Sequence, residues 1–132
     1  MDSVAEKALL GARVLVVDDD DDSRELFSRV LAGAGAHVRV APNAKGARKV
    51  VAAWRPNVVV SDIMMPDEDG FTLVRDLQSA AGLDHTAIIA VTGLASTRTR
   101  STALAAGFRD CVFKPLPPDE LVALVARWAR AS

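Results

Sequence analysis

The sequence predicts an α/β protein: a single domain built on a doubly wound, five-stranded parallel sheet. Two observations carry this. Short apolar runs of strand length alternate with segments of helical periodicity, five times over, which implies parallel strands with helices on both faces. The central runs, such as Val14 to Val17 and Val58 to Val60, have no polar interruption, as strands buried on both faces require.

The elements follow in order. Val14 to Val17 is the first strand. Leu26, Phe27, Val30 and Leu31 then mark one side of a helix that ends near Gly33 and Gly35. His37 to Val40 forms a weaker, more exposed strand. Asn43 caps a helix carrying Ala47, Val50, Val51 and Trp54, and Pro56 stops it. Val58 to Val60 is the third strand. A loop with Pro66 and Gly70 leads to a helix marked by Leu73, Val74 and Leu77. Ile88 to Val91 is a strand, and residues 97 to 106 form a helix whose single large apolar residue is Leu104. Cys111 to Phe113 is the last strand. Leu121, Leu124, Val125 and Trp128 mark the final amphipathic helix. Residues 1–11 read as a lead-in, and residues 12–130 as the domain.

The chain has 132 residues, half of them hydrophobic, with a formal net charge of -1. That suffices for a core and excludes disorder by composition. The balanced charge gives no electrostatic reason to bind nucleic acid or a membrane surface. No apolar stretch approaches the roughly 20 residues of a membrane span, and no signal-peptide pattern opens the sequence. The one cysteine, Cys111, excludes an internal disulfide and suits a reducing cytosol, so a cytoplasmic location is expected.

Polar residues gather where strands end. The first strand ends at Asp18 and Asp19, the third at Ser61 and Asp62, the fourth at Thr92 and the fifth at Lys114. Parallel strands bring these ends to one edge, where open α/β sheets bind ligands. Three crowded carboxylates are unfavourable alone, and a divalent cation reverses that. Hard oxygen ligands favour Mg²⁺, or Mn²⁺, over zinc, and no Cys/His pair has zinc-ligand spacing. A lysine and a threonine beside such a cation suit phosphoryl oxygens. The charges alone describe a site for phosphate chemistry at a metal.

The motifs VLVVDDD (14 to 20), VVVSDIMMPDEDG (58 to 70), VTG (91 to 93) and FKP (113 to 115) together resemble the receiver domain of two-component response regulators. Each is weak alone; four in order, each at a strand end, are specific. The resemblance runs from about Arg13 to Trp128. It implies a flavodoxin-like fold with strand order 2-1-3-4-5, and phosphotransfer from a phosphohistidine to an aspartate. Asp62 then matches the phosphoacceptor, and Asp18 and Asp19 the acidic pair that holds Mg²⁺. Met64 matches the position whose backbone carbonyl completes the metal site. Thr92 matches the switch hydroxyl, Lys114 the lysine that pairs with a phosphoryl oxygen, and Pro115 a proline preceded by a cis bond. Gly93, without a side chain, should leave the site open. Cys111 departs from the pattern: the family usually carries there an aromatic that changes rotamer with the threonine.

The resemblance further implies a histidine kinase or histidine phosphotransfer protein as phosphodonor, and a downstream output protein or domain. A stand-alone regulator, a phosphorelay shuttle and the receiver of a hybrid kinase all fit; SDIMMPDEDG and AAGF (105 to 108) look somewhat like hybrid-kinase receivers. Two rival readings exist. A phosphorylation-independent pseudo-receiver usually lacks the aspartate or the lysine, and both are here. A metal-dependent phosphatase needs a general acid near the nucleophile, whereas Ile63 and Met64 follow Asp62.

Other polar and aromatic residues have plainer readings. In the run of five aspartates, Asp20 faces solvent, and Asp21 or Asp22 caps the helix, Asp22 with Glu25 as a capping box. Asp67, Glu68 and Asp69 form a solvated loop. His37 and His85 are surface residues, Trp54 and Trp128 pack on apolar helix faces, and Cys111 is a core residue.

Overall fold

The computed structural model describes residues 8–65, 70–79, 85–93 and 96–131. The first seven residues and the loop residues Pro66, Asp67, Glu68 and Asp69 lie outside the described residues.

Five strands, β1 (Arg13–Val17), β2 (His37–Ala41), β3 (Val58–Ser61), β4 (Ala87–Thr92) and β5 (Asp110–Phe113), form one parallel sheet in the order 2-1-3-4-5. The helices between and after them are α1 (Asp21–Gly33), α2 (Ala44–Trp54), α3 (Gly70–Ser79), α4 (Thr97–Ala106) and α5 (Pro118–Ala131). The uninterrupted apolar runs are explained by strand periodicity, which sends alternate residues to opposite faces. Val14, Val16, Val58 and Val60 pack with Phe27 and Leu31 of α1 and Leu121 and Val125 of α5. Leu15, Val17, Val59 and Ile88 pack with Val51 of α2, Leu73 and Val74 of α3 and Ala103 of α4. The sheet therefore has two cores, one under each helical layer. As predicted, β2 is the exposed strand, and it lies at the edge. Among the described residues no helix is long and apolar enough to cross a membrane.

Helix ends follow local chemistry. Asn43 accepts the Gly46 N–H at 2.8 Å and caps α2. That helix stops at Trp54, one residue before Arg55, which takes a left-handed conformation at φ 52° ahead of Pro56. The Arg55 carbonyl accepts from Nε and Nη2 of Arg13 at 3.2 and 2.7 Å, which ties the helix end to β1. Gly107 closes α4 at φ 122°, where a Cβ would collide with the Gln78 amide at 2.3 Å.

Two expectations need correction. Asp20, not Asp21 or Asp22, caps α1: its extended backbone (φ -83°, ψ 117°) lets its Oδ2 accept the Ser23 N–H at 3.0 Å. These hydrogen bonds from Ser23 hold the Asp20 carboxyl below its usual range. Asp21 and Asp22 instead occupy the first turn, where negative charge suits the helix dipole. Leu26 is 52% exposed; it lies round the flank of α1 from Phe27 and Leu31, which share the buried stripe four residues apart. The exposure or burial of five further residues is also as expected from the sequence. His37 and His85 are exposed, Cys111 is wholly buried, and Trp54 and Trp128 are half-buried.

Candidate functional site

Sheet register builds the site. The strand order reverses at β1, so the crevice between β1 and β3 is the switch point where such sheets bind ligands. Val17 pairs with Ser61, and the next residue on each strand is Asp18 and Asp62. The Asp62 N–H donates to the Val17 carbonyl at 3.0 Å and extends that pairing by one step. On the other side Thr92 pairs with Phe113, and the Lys114 N–H donates to the Thr92 carbonyl at 2.9 Å. The Lys114–Pro115 bond is cis.

The side chains converge from there. Lys114 Nζ donates to Asp18 Oδ2 at 2.8 Å and to Asp62 Oδ2 at 3.1 Å. One carboxylate oxygen from each of Asp18, Asp19 and Asp62 lies within 4.8 Å of the other two. Asp18 is buried, Asp62 half-buried and Asp19 exposed, so the cluster runs from the floor of the crevice to its rim. Partial burial pulls the Lys114 pKa down. The hydrogen bond to Asp18 and the charges of Asp62 and Asp18 outweigh it, and the net shift is upward. The ammonium thus remains charged at neutral pH.

Of the remaining predicted residues, Met64 contacts this centre, Thr92 and Gly93 lie at the end of β4, and Cys111 stands apart. Met64 is 57% exposed, and its N–H donates to Asp62 Oδ1 at 3.1 Å, so its contact with the site is through the backbone. Thr92 is buried at the strand end. Gly93 is exposed, and a Cβ there would meet no atom within 4 Å among the described residues. Cys111 is set apart from the acidic cluster, in the core with Ala103 and Phe108. Burial pushes its thiol pKa up, with Asp110 adding and Arg100 opposing.

Two residues that hold the site went unread in the sequence. A Cβ on Gly70 would lie 2.8 Å from the Asp62 carbonyl oxygen and 3.0 Å from Ile63 Cα. Its N–H donates to the Ile63 carbonyl at 2.7 Å, so α3 begins in direct contact with the backbone that carries Asp62. The glycine that closes the VVVSDIMMPDEDG motif was the signal for this. Arg24 is the second; its Nη1 donates to the Asp18 carbonyl at 2.9 Å. Its place six residues beyond Asp18, and three beyond Asp21, was a weaker signal.

The response regulator receiver domain family matches residues 14–126. An uncharacterized 14.6 kDa protein of Leptolyngbya boryana is 41% identical over 118 residues, 89% of this chain and 90% of that protein. The transcriptional regulatory protein GltR of Pseudomonas aeruginosa is 35% identical over 87% of this chain, which spans 48% of its length. The chain likewise covers about half or less of other, longer curated relatives. The receiver domain of the Francisella response regulator 1452 superposes with a TM-score of 0.84 at 28% identity, covering 92% of this chain and 98% of that one. Register, acidic crevice and bridging lysine thus coincide with a family match over most of the chain, and the chain belongs to the response regulator receiver domain family of two-component signalling.

Proposed function

We propose that the domain accepts a phosphoryl group on Asp62 from a phosphohistidine, with Mg²⁺ or Mn²⁺ held at the acidic crevice, and that the new charge switches its conformation. One observation carries the reading: Lys114 Nζ sits between Asp18 and Asp62, with Asp19 completing a cluster of oxygens within 4.8 Å. Three hard oxygen donors this close suit Mg²⁺ or Mn²⁺. Asp18, Asp19 and Asp62 would hold the cation, together with the Met64 backbone carbonyl. Such a cation supplies positive charge between a carboxylate and an incoming phosphoryl group, which otherwise repel.

The chain's own groups do the rest. An Asp62 carboxylate oxygen forms the O–P bond as the N–P bond of the donor breaks, and the imidazole nitrogen keeps the electron pair. Lys114 uses two of its three donors on Asp18 and Asp62, and the third suits a phosphoryl oxygen. The Thr92 hydroxyl turns toward the same group, Gly93 leaves the approach open, and Pro115 shapes the wall behind Lys114. The domain then acts as a two-state element biased by charge. With Cys111 in place of an aromatic, that bias travels without a ring flip on β5. The donor is a histidine kinase or a histidine phosphotransfer protein, the recipient an output protein or domain, and the setting the cytoplasm.

Incubation with a small acyl-phosphate donor and Mg²⁺, read by intact mass, tests this. The wild type should gain one phosphoryl group and Asp62→Asn none. An unmodified wild type, or an adduct that persists in Asp62→Asn, would overturn the proposal.

A further inference from the structure

Asp18 is held at four of its atoms. Its N–H donates to the Ala41 carbonyl at 3.2 Å. Its Oδ1 accepts the Asp20 N–H at 2.9 Å, and its Oδ2 accepts Lys114 Nζ at 2.8 Å. Its carbonyl accepts Arg24 Nη1 at 2.9 Å. The first three contacts come from the sheet, from the turn itself and from the site's own lysine. Arg24 is different. It reaches back from the first turn of α1 to a backbone carbonyl, and has no place in the phosphoryl chemistry above.

The surroundings of Arg24 fit a holding role. Its side chain is only 19% exposed, whereas its partner Asp21 is 88% exposed. The second arm of the guanidinium pairs with the Asp21 carboxylate. The fork therefore joins the last residue of the β1 strand end to the first residue of α1, across the two residues that carry Asp19 and the cap Asp20. A planar fork presents its donors to a carbonyl and a carboxylate in one fixed geometry, whereas an ammonium on a flexible stem fixes no such plane.

We infer that Arg24 is a positioning residue for the cation site, clamping the β1–α1 turn so that Asp18 and Asp19 present their carboxylates together. The inference rests on the metal reading above for its affinity consequence, but not for its consequence in the turn. It also predicts a sign that charge alone does not. As a point charge near a dication, Arg24 would weaken Mg²⁺ binding, and removing it would tighten binding. As a clamp, it strengthens binding, and removing it loosens the donor set.

The test compares wild type, Arg24→Gln and Arg24→Lys, each as the full chain, below the temperature at which any of them begins to melt. Mg²⁺ affinity is read by titration calorimetry, and backbone amide exchange by NMR. Arg24→Gln should bind Mg²⁺ about tenfold more weakly, the size usual for losing a group that orients a metal ligand. The Asp20 amide should exchange faster by a similar factor, while core amides such as Val16 stay protected. Arg24→Lys keeps the charge and covers failure of the first variant to fold; it should recover only part of either loss. Binding by Arg24→Gln as tight as or tighter than wild type overturns the inference. So does full recovery by Arg24→Lys, or an unchanged Asp20 amide. A wild type that binds no Mg²⁺ overturns the metal reading instead, and the exchange measurement still decides whether Arg24 is a clamp.

Discussion

Lys114 Nζ lies 2.8 Å from Asp18 Oδ2, although 96 residues separate the two in the chain. The Asp18 side chain is 4% exposed, so this lysine is the cation that makes a buried carboxylate tolerable. Replacing Lys114 by Met, in buffer with chelator, should cost about 2 kcal/mol, the order expected when a charged buried partner is left unmatched. The loss should depend on pH with a defined sign. The folded-state pKa of Lys114 lies above its usual 10.5. Its stabilisation is therefore complete below the usual value and is lost as pH rises through the raised one. Urea midpoints of wild type and Lys114→Met should differ most at neutral pH and converge in the alkaline range. A gap that widens with pH would show that the ammonium does not stabilise the cluster.

Asp19 occupies the opposite situation. It lies in the same oxygen cluster, yet among the described residues no ion pair holds it, whereas Lys114 bonds both Asp18 and Asp62. Without a divalent cation its charge is repulsive. Asp19→Asn should then raise the melting temperature in chelator, by roughly 1–3 °C on the usual scale for a domain of this size. Added Mg²⁺ should reverse the order. On the proposed cation reading it should stabilise the wild type by binding the native state, and do less for a variant that lacks one of the proposed ligands. Melting curves with chelator and with saturating Mg²⁺ check both halves. A variant that melts lower than wild type in chelator would argue against crowding.

Gly70 links helix packing to Asp62. Its missing Cβ would stand 2.8 Å from the Asp62 carbonyl oxygen, and the blocking atoms are backbone, which cannot rotate aside. Gly70→Ala should therefore displace the Asp62 segment from α3 and cost about 1–3 kcal/mol, as overpacking of a close contact does. Phosphorylation by the acyl-phosphate donor should slow in the same variant at temperatures where it remains folded. Gly93→Ala is the matched comparison, because a Cβ there meets nothing within 4 Å among the described residues and should leave stability near wild type. Equal effects from the two substitutions would remove the steric argument.

The sheet and the crevice were legible because both depend on patterns that local sequence carries. Strands buried on two faces need unbroken apolar runs, and β1, β3 and β4 have them. Ligand-edge residues must follow strands directly, and Asp18, Asp62 and Lys114 do. The helix cap was not legible, because five identical side chains differ only in backbone conformation. Asp20 caps because its ψ is extended at 117°, a property that the turn after β1 imposes. The exposure of Leu26 was hidden for a related reason: an apolar residue one step off the buried stripe reads the same as one on it. The roles of Arg24 and Gly70 were hidden because each acts on backbone atoms of Asp18 or Asp62, which no side-chain pattern displays.

Asp110 joins three elements at the β5 edge of the sheet, opposite β2. It sits at the start of β5 with its side chain 14% exposed. Its Oδ1 lies 3.4 Å from Arg100 of α4, and its Oδ2 accepts Trp128 Nε1 of α5 at 3.3 Å. Arg100 also donates to the Cys111 carbonyl, on the strand that forms the sheet edge. The helix α4 buries Ala103 and leaves Leu104 40% exposed, so its apolar hold on the sheet is small. Polar contacts through Asp110 then carry a larger share of the attachment of α4 than such contacts carry elsewhere. Asp110→Ala should cost about 1–2 kcal/mol, because it leaves a half-buried indole N–H without its acceptor and removes the carboxylate beside Arg100. It should also change the emission of Trp128, read in a Trp54→Phe background because the chain has two tryptophans. Faster exchange should appear in α4 amides before it appears in α5, whose Leu121 and Val125 remain in the core. If α4 and α5 loosen together, or neither does, Asp110 is a surface acceptor only and α4 is held by packing.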